Sequence, residues 1–127
     1  GEIQSVAFPI SGKGLWSTIY GVLALESDWK TIRGITFYDH GETPGLGGEI
    51  DKSWFQEQFA GKTIADEGGL ETFRVVKGKV ADKWPQGNPH AVDGISGATM
   101  TSKGLQEFLN EDLARYDRYF SKRRSGS

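Results

Sequence analysis

Residues Asp93-Gly94-Ile95-Ser96-Gly97-Ala98-Thr99-Met100-Thr101 combine several features suited to holding a phosphate. Gly94 and Gly97 let the backbone turn and come close to a ligand. A helix is expected to follow, and its first turn offers unpaired N–H groups and the positive end of its dipole to an anion. Ser96, Thr99 and Thr101 add hydroxyls. The same residues also suit a plainer role, in which Ser96 or Thr99 caps the helix and the glycines shape an ordinary loop. Residue types alone leave both readings open.

A second stretch, Gly41-Glu42-Thr43-Pro44-Gly45-Leu46-Gly47-Gly48, is again rich in glycine. Thr43 can cap a short helical turn with Pro44 at its first position, where a missing N–H costs nothing. His40 and His90, with Glu42 and Asp93 near them in sequence, lack the spacing of metal ligands, so surface imidazoles are expected and no metal is assigned. There is no Ser–His–Asp arrangement, Walker loop or Rossmann glycine pattern, and the carboxylates form no readable acid/base pair. No catalytic residue is assigned.

The elements that must position these residues can be read in outline. Residues 2–10 form an expected strand ending at Pro9, followed by a turn at Ser11-Gly12-Lys13-Gly14. Trp16 to Glu26 and Thr31 to Asp39, rich in β-branched and aromatic residues, predict an antiparallel hairpin turning at Ser27-Asp28-Trp29-Lys30. Along the first of these, apolar residues at both Val22, Ala24 and Leu23, Leu25 predict partial cover on both faces. A short helix from Asp51 or Ser53 through Phe59 stops at Gly61. Phe73 to Lys77 is a strand, Gly78 a turn, and 81–90 a loop.

The last element carries the clearest periodicity. Leu105, Phe108, Leu109, Leu113, Tyr116 and Phe120 form an apolar stripe on one helix face, with Glu107, Glu111, Asp112 and Arg115 on the rest. This helix is expected to begin between Thr99 and Ser102 and to fray into the basic tail. Strands and helices without repeated βαβ units predict a single α+β domain, a twisted antiparallel sheet with flanking helices, and disfavour a parallel α/β fold. The domain is expected over residues 1–120, with 121–127 a basic C-terminal tail. Gly1 and Ser125-Gly126-Ser127 read as cloning remnants.

Composition narrows the function classes. The 127 residues include 15 aromatics and 36% apolar residues, enough for a packed core. The net charge is −2, and since Lys122, Arg123 and Arg124 supply +3, the rest stands at −5. Such a body is a poor partner for nucleic acid. The absence of cysteine excludes disulfides, thiolate metal sites, iron–sulfur clusters and thioether-linked cofactors. The longest apolar or glycine run, Ile19 to Leu25, is too short to span a bilayer.

Taken together, Glu42-Thr43-Pro44-Gly45-Leu46-Gly47 and Ser96-Gly97-Ala98-Thr99 resemble the FMN-binding domain of the NqrC proteins of the sodium-translocating NADH:quinone oxidoreductase and of their flavoprotein relatives in the Rnf complex. Pro9 to Trp16, Gly34 to Tyr38 and Val75 to Gly78 are similar to the NqrC proteins in particular. The resemblance covers roughly residues 8–110. It implies that FMN is joined through its phosphate to the hydroxyl of Thr99 by a separate flavin transferase using FAD, with Asp93 in the pattern the transferase reads. A chain made without that enzyme would carry no flavin. Thr99 is the implied acceptor, rather than Thr101, because it directly follows Gly97-Ala98.

The resemblance further implies that Ser96, Gly97 and Ala98 border the flavin, that Glu42 and Thr43 offer polar contacts, and that Leu46 lies against the ring. Lys77 would neutralise the phosphate or the flavin edge, and Trp16, with Leu15 beside it, would cover the ring. A lysine there is otherwise a solvated charge and a tryptophan a core residue.

The implied function is electron relay within a respiratory complex of the bacterial inner membrane that oxidises NADH, reduces quinone and pumps sodium. The domain would face the periplasm, be held by an N-terminal membrane helix outside this sequence, and have no independent turnover. The other proteins of the complex and the transferase are the implied partners. An Rnf-type flavoprotein, a protein with loosely bound FMN, and an extracytoplasmic binding module without a redox role are the alternatives.

Overall fold

The computed structural model describes residues 5–125. Three long strands, β1 (Ser5–Lys13), β2 (Thr18–Glu26) and β3 (Ile32–Asp39), form an antiparallel sheet in that order. Phe8 stands opposite Leu23, and Leu23 opposite Ile35, so one inward row crosses all three strands. The turn expected at Ser27 to Lys30 is present: the Asp28 carboxylate accepts from the Lys30 and Thr31 amides and the Thr31 hydroxyl, and Trp29 takes a left-handed φ of 61°.

Two readings of the sheet need correction. The first strand does not end at Pro9 but runs on to Lys13. Strand β1 lies at the sheet edge, where a residue without an N–H is tolerated because one side of the backbone has no strand to bond. The expected beginning of this strand at residues 2–4 lies outside the described residues. The partial cover expected on the second face is confined to Ala24, which is half-buried: Ile19, Gly21, Leu23 and Leu25 are buried, whereas Tyr20 and Val22 are exposed. Trp16 precedes β2 rather than joining it.

The long helix α3 (Thr99–Ser125) packs against β1. Its stripe is buried at Leu105, Phe108, Leu109, Leu113 and Phe120, against Phe8, Ile10 and the rest of the core. The crossing is close because glycine occurs on both sides. A Cβ on Gly104 would lie 2.5 Å from the Lys13 carbonyl oxygen, and one on Gly12 only 2.0 Å from Phe108 Cβ. Asp112, expected on the solvated face, is buried, accepting from the Ser11 amide at 2.9 Å and pairing with Arg115 at 3.1 Å. A carboxylate so partnered satisfies an edge-strand N–H that would otherwise be lost. Residues 121–125 continue the helix, and Arg124 pairs with Asp117 and donates to the Trp29 carbonyl.

Between sheet and helix, the chain makes short elements. A 3₁₀ turn (Gly47–Asp51), the helix α1 (Ser53–Gln56) and a second 3₁₀ turn (Glu57–Phe59) bury Ile50, Phe55 and Phe59. A small hairpin pairs β4 (Ala65–Asp66) with β5 (Gly69–Leu70). Strand β6 (Arg74–Val76) pairs in parallel with β7 (Ala91–Asp93), an arrangement absent from the sequence reading. Nor is 81–90 all loop, because α2 (Val80–Lys83) occupies its start. The α+β assignment holds, with the parallel pair a local feature beside the antiparallel sheet.

Candidate functional site

Strand β7 leads directly into the segment that precedes α3. Asp93 is not free to meet a ligand: Oδ1 accepts from the Val80 amide at 2.7 Å and Oδ2 faces Lys79 Nζ at 3.7 Å. Its main chain exchanges bonds with the Gln58 side chain. Gly94 must lack a side chain, since a Cβ would sit 2.1 Å from the Val76 carbonyl oxygen. Gly97 has φ 78°, a conformation that costs a residue with a Cβ about 1–2 kcal/mol. These two glycines lay the segment flat against the end of β6 and turn it into α3.

The outcome differs sharply among the hydroxyls. Ser96 and Thr99 are exposed, Thr99 opening the helix. Thr101 is 2% exposed and donates to Glu42 Oε1 at 2.9 Å. Ser102 is buried, its Oγ near the Ile95 amide. The first bond into the helix is Ser102 N–H to the Ala98 carbonyl, so the amides of Thr99, Met100 and Thr101 precede the ladder and leave the helix end electropositive.

A groove of about 770 Å³ runs beside this segment. Ser96, Gly97, Thr99 and Lys77 line it, as do Gly45 and the indoles of Trp54 and Trp84. Arg74, Lys79, Lys83 and Lys103 add four more cations against one carboxylate, Glu49. Sequence reading missed these four. Lys103 was legible in principle, one helical turn after Thr99, whereas Arg74, Lys79 and Lys83 come together only through the β6–β7 pairing and the turn of α2.

Glu42, Thr43, Leu46, Leu15 and Trp16 do not line the groove. Leu46 lies close by, its Cδ2 3.2 Å from where a Cβ on Gly97 would be. Thr43 closes its turn with its carbonyl, which accepts from the Leu46 and Gly48 amides, and the cap position of the 3₁₀ turn that follows is Leu46 rather than Thr43. Glu42 is 4% exposed and turned inward. Oε1 accepts from Leu15 N and Thr101 Oγ1; Oε2 accepts from Trp16 N and Ser17 Oγ, at 2.7–3.0 Å. Burial pushes its pKa up, but the Ser17, Leu15, Thr101 and Trp16 donors outweigh it and hold the carboxyl below its ordinary value. Glu42 therefore ties the turn carrying Leu15 and Trp16 to the first turn of α3. Trp16 is 68% exposed and Leu15 is also exposed, so both are presented outward from that brace.

The histidines go elsewhere. His40 Nε2 meets Asp51 at 2.9 Å, and His90 Nδ1 meets the Thr63 carbonyl and hydroxyl. Asp66, Glu71 and His90 bring ligand-type atoms within 4.8 Å of one another, a grouping not read from sequence. Hydrogen bonding between the two acids raises the Glu71 pKa and lowers that of Asp66.

The site thus offers an exposed hydroxyl at an electropositive helix end, a cation-lined groove and flanking aromatic surface, a donor set that fits a phosphate-bearing planar cofactor. Comparison with known proteins agrees. Residues 14–114 match the FMN-binding domain family, and this chain belongs to it. Its relatives include the NqrC protein of the Na(+)-translocating NADH-quinone reductase of Yersinia pestis, 52% identical over 87% of this chain and 40% of that protein. The corresponding protein of Pseudomonas aeruginosa is 42% identical over 99% of this chain and 49% of its own length. Among solved structures, the corresponding reductase protein from Parabacteroides distasonis superposes with a TM-score of 0.83 at 40% identity, covering 93% of this chain and 57% of that one. NqrC from Shewanella oneidensis gives 0.79 at 39% identity, covering 92% and 54%. The chain spans less than half of the curated relatives named here.

Proposed function

We propose that this chain is the FMN-carrying domain of the NqrC protein of a sodium-translocating NADH:quinone oxidoreductase, with FMN esterified through its phosphate to Thr99 Oγ. The observation that carries this reading is the contrast between the two threonines: Thr99 is exposed beside the groove, whereas Thr101 is sealed in the core with its hydroxyl committed to Glu42. Bound there, FMN supplies reversible electron transfer; the protein supplies position and electrostatics. The Thr99, Met100 and Thr101 amides and Lys77 stabilise the phosphodiester charge, while Ser96, Gly97 and Ala98 shape the backbone at its edge. Leu46 lies over Gly97, and Leu15 and Trp16, held out by Glu42, offer apolar surface to the ring. Glu42 acts through that brace, and Thr43 through its turn.

Within the proposed complex the domain relays electrons between neighbouring proteins and turns over no diffusing substrate. It faces the periplasm and is tethered by a membrane helix outside this sequence; among the described residues no helix is long and apolar enough to cross a membrane. A separate flavin transferase installs the FMN. Coexpression with that transferase should give flavin fluorescence that stays with the protein band on a denaturing gel. Thr99→Ala should abolish it and Thr101→Ala should retain it. Fluorescence persisting in Thr99→Ala would refute the assignment, and colour released on gentle denaturation would favour noncovalent FMN.

A further inference from the structure

We infer that the basic part of the groove is the surface on which the flavin transferase docks while carrying FAD, and that the charge it answers is the FAD diphosphate. The inference rests on Thr99 being the acceptor. Five cations line the groove, a third of the chain's 15 Lys and Arg, in a protein whose net charge is −2. A finished phosphodiester carries a single negative charge, which Lys77 and the helix end already answer. The excess lies in Arg74, Lys79, Lys83 and Lys103.

The carboxylates on the surrounding elements do not cancel that excess. Glu49 lines the groove but accepts from Trp54 Nε1, Asp93 faces Lys79, and Asp82 lies near Gly78 on α2. Counting all three in full, and Glu107 one helical turn after Lys103 as well, still leaves one positive charge uncompensated. Among the described residues Arg74, Lys77, Lys83 and Lys103 have no carboxylate within ion-pair distance. All five cations are exposed; the Lys79 side chain is 73% so. Solvated cations hold a small anion weakly, but they steer and orient a large anionic partner.

The transfer chemistry brings such a partner to this face. Thr99 Oγ attacks the phosphorus on the FMN side of FAD. The Oγ–P bond forms as the bridging P–O bond breaks, its electron pair leaves on AMP, and the hydroxyl proton passes to solvent or the transferase. Two negative charges must therefore approach the groove mouth before the bond is made. Cations lining the same groove as Thr99 lower the cost of that approach, so their contribution falls on the KM for this chain rather than on kcat.

The test is steady-state flavinylation of the purified flavin-free chain by purified transferase and FAD, followed by AMP release and by fluorescence of the labelled chain. The charge-reversed Lys79→Glu/Lys83→Glu pair and Lys103→Glu should each raise KM roughly tenfold at low salt, with kcat changed less than about twofold. Wild type should lose efficiency toward about 0.15 M salt, and the reversed variants much less. Lys79→Arg/Lys83→Arg should behave as wild type, as should Lys30→Glu at the β2–β3 turn, which does not line the groove. Unchanged KM and salt response in reversed variants that are still labelled at Thr99 would overturn the docking surface and leave the acceptor assignment standing. Failure of wild type to label at Thr99 would overturn both.

Discussion

Replacing Glu42 with Gln isolates the brace beneath the site. Each carboxylate oxygen of Glu42 accepts from one backbone amide and one hydroxyl. The hydroxyls of Ser17 and Thr101 can rotate to accept a bond, but the amides of Leu15 and Trp16 cannot. Whichever way a glutamine side chain is placed, its NH₂ meets one of those amides, and a donor is left facing a donor. The lost charge weakens the remaining bonds, each worth about 1.5–3 kcal/mol when an ion takes part and about 1 kcal/mol when neutral. An amide that loses its acceptor adds about 1 kcal/mol, the low end of the range because Leu15 and Trp16 are exposed and their amides only part-buried. Glu42→Gln should therefore destabilise the domain by about 2–4 kcal/mol, lowering Tm by about 10 °C.

The pH dependence makes this prediction specific. The native pKa of Glu42 lies below its ordinary value of 4.5, so its stabilisation is complete above that value and is lost as pH falls through the native pKa. Protonated Glu42 presents an O–H where the variant presents N–H, so wild type and Glu42→Gln should converge in acid. Urea denaturation of both proteins at pH 7 and across the acid range measures this. A difference below about 0.5 kcal/mol at pH 7, or one that does not shrink in acid, would refute the reasoning.

Three further outcomes follow from the packing. Gly104→Ala should cost about 1–3 kcal/mol by denaturant titration, because its Cβ would press on the Lys13 carbonyl where the backbone must move to relieve it. Thr101→Ala should lose about 1–2 kcal/mol, whereas Thr99→Ala, at an exposed position, should stay within about 0.5 kcal/mol of wild type in the flavin-free chain. Phe108→Ala should cost about 3–5 kcal/mol in the same assay, since that buried ring joins α3 to the sheet.

The parts of the fold visible in the sequence were those set by local period or turn chemistry. The stripe from Leu105 to Phe120 identified α3, and Ser27 to Lys30 identified the hairpin turn. Tertiary partners decided the rest. Pro9 looked like a strand end because a missing donor is harmful only in the middle of a sheet, and edge position is not written in the residue itself. Asp112 looked solvated because its partner, the Ser11 amide, is 101 residues away. The three-residue strands β6 and β7 are too short to show a period, so their parallel pairing was invisible, and with it the convergence of Arg74, Lys79 and Lys83 on the groove.

The site was legible in part for the same reason. Gly94, Gly97 and the hydroxyls of 96–101 announced a close-packed turn into a helix, but exposure separates Thr99 from Thr101, and exposure depends on where Glu42 points. Read alone, Glu42 offered a polar contact for a ligand. Folded, it is the buried acceptor that fixes the turn bearing Leu15 and Trp16.

Peptide mapping by mass spectrometry, after coexpression with the flavin transferase, tests the central claim most directly. The peptide containing Thr99 should gain the mass of one FMN less one water, with fragment ions placing it on Thr99. An adduct on Thr101 or Ser96, or an unmodified chain in the presence of active transferase, would contradict it.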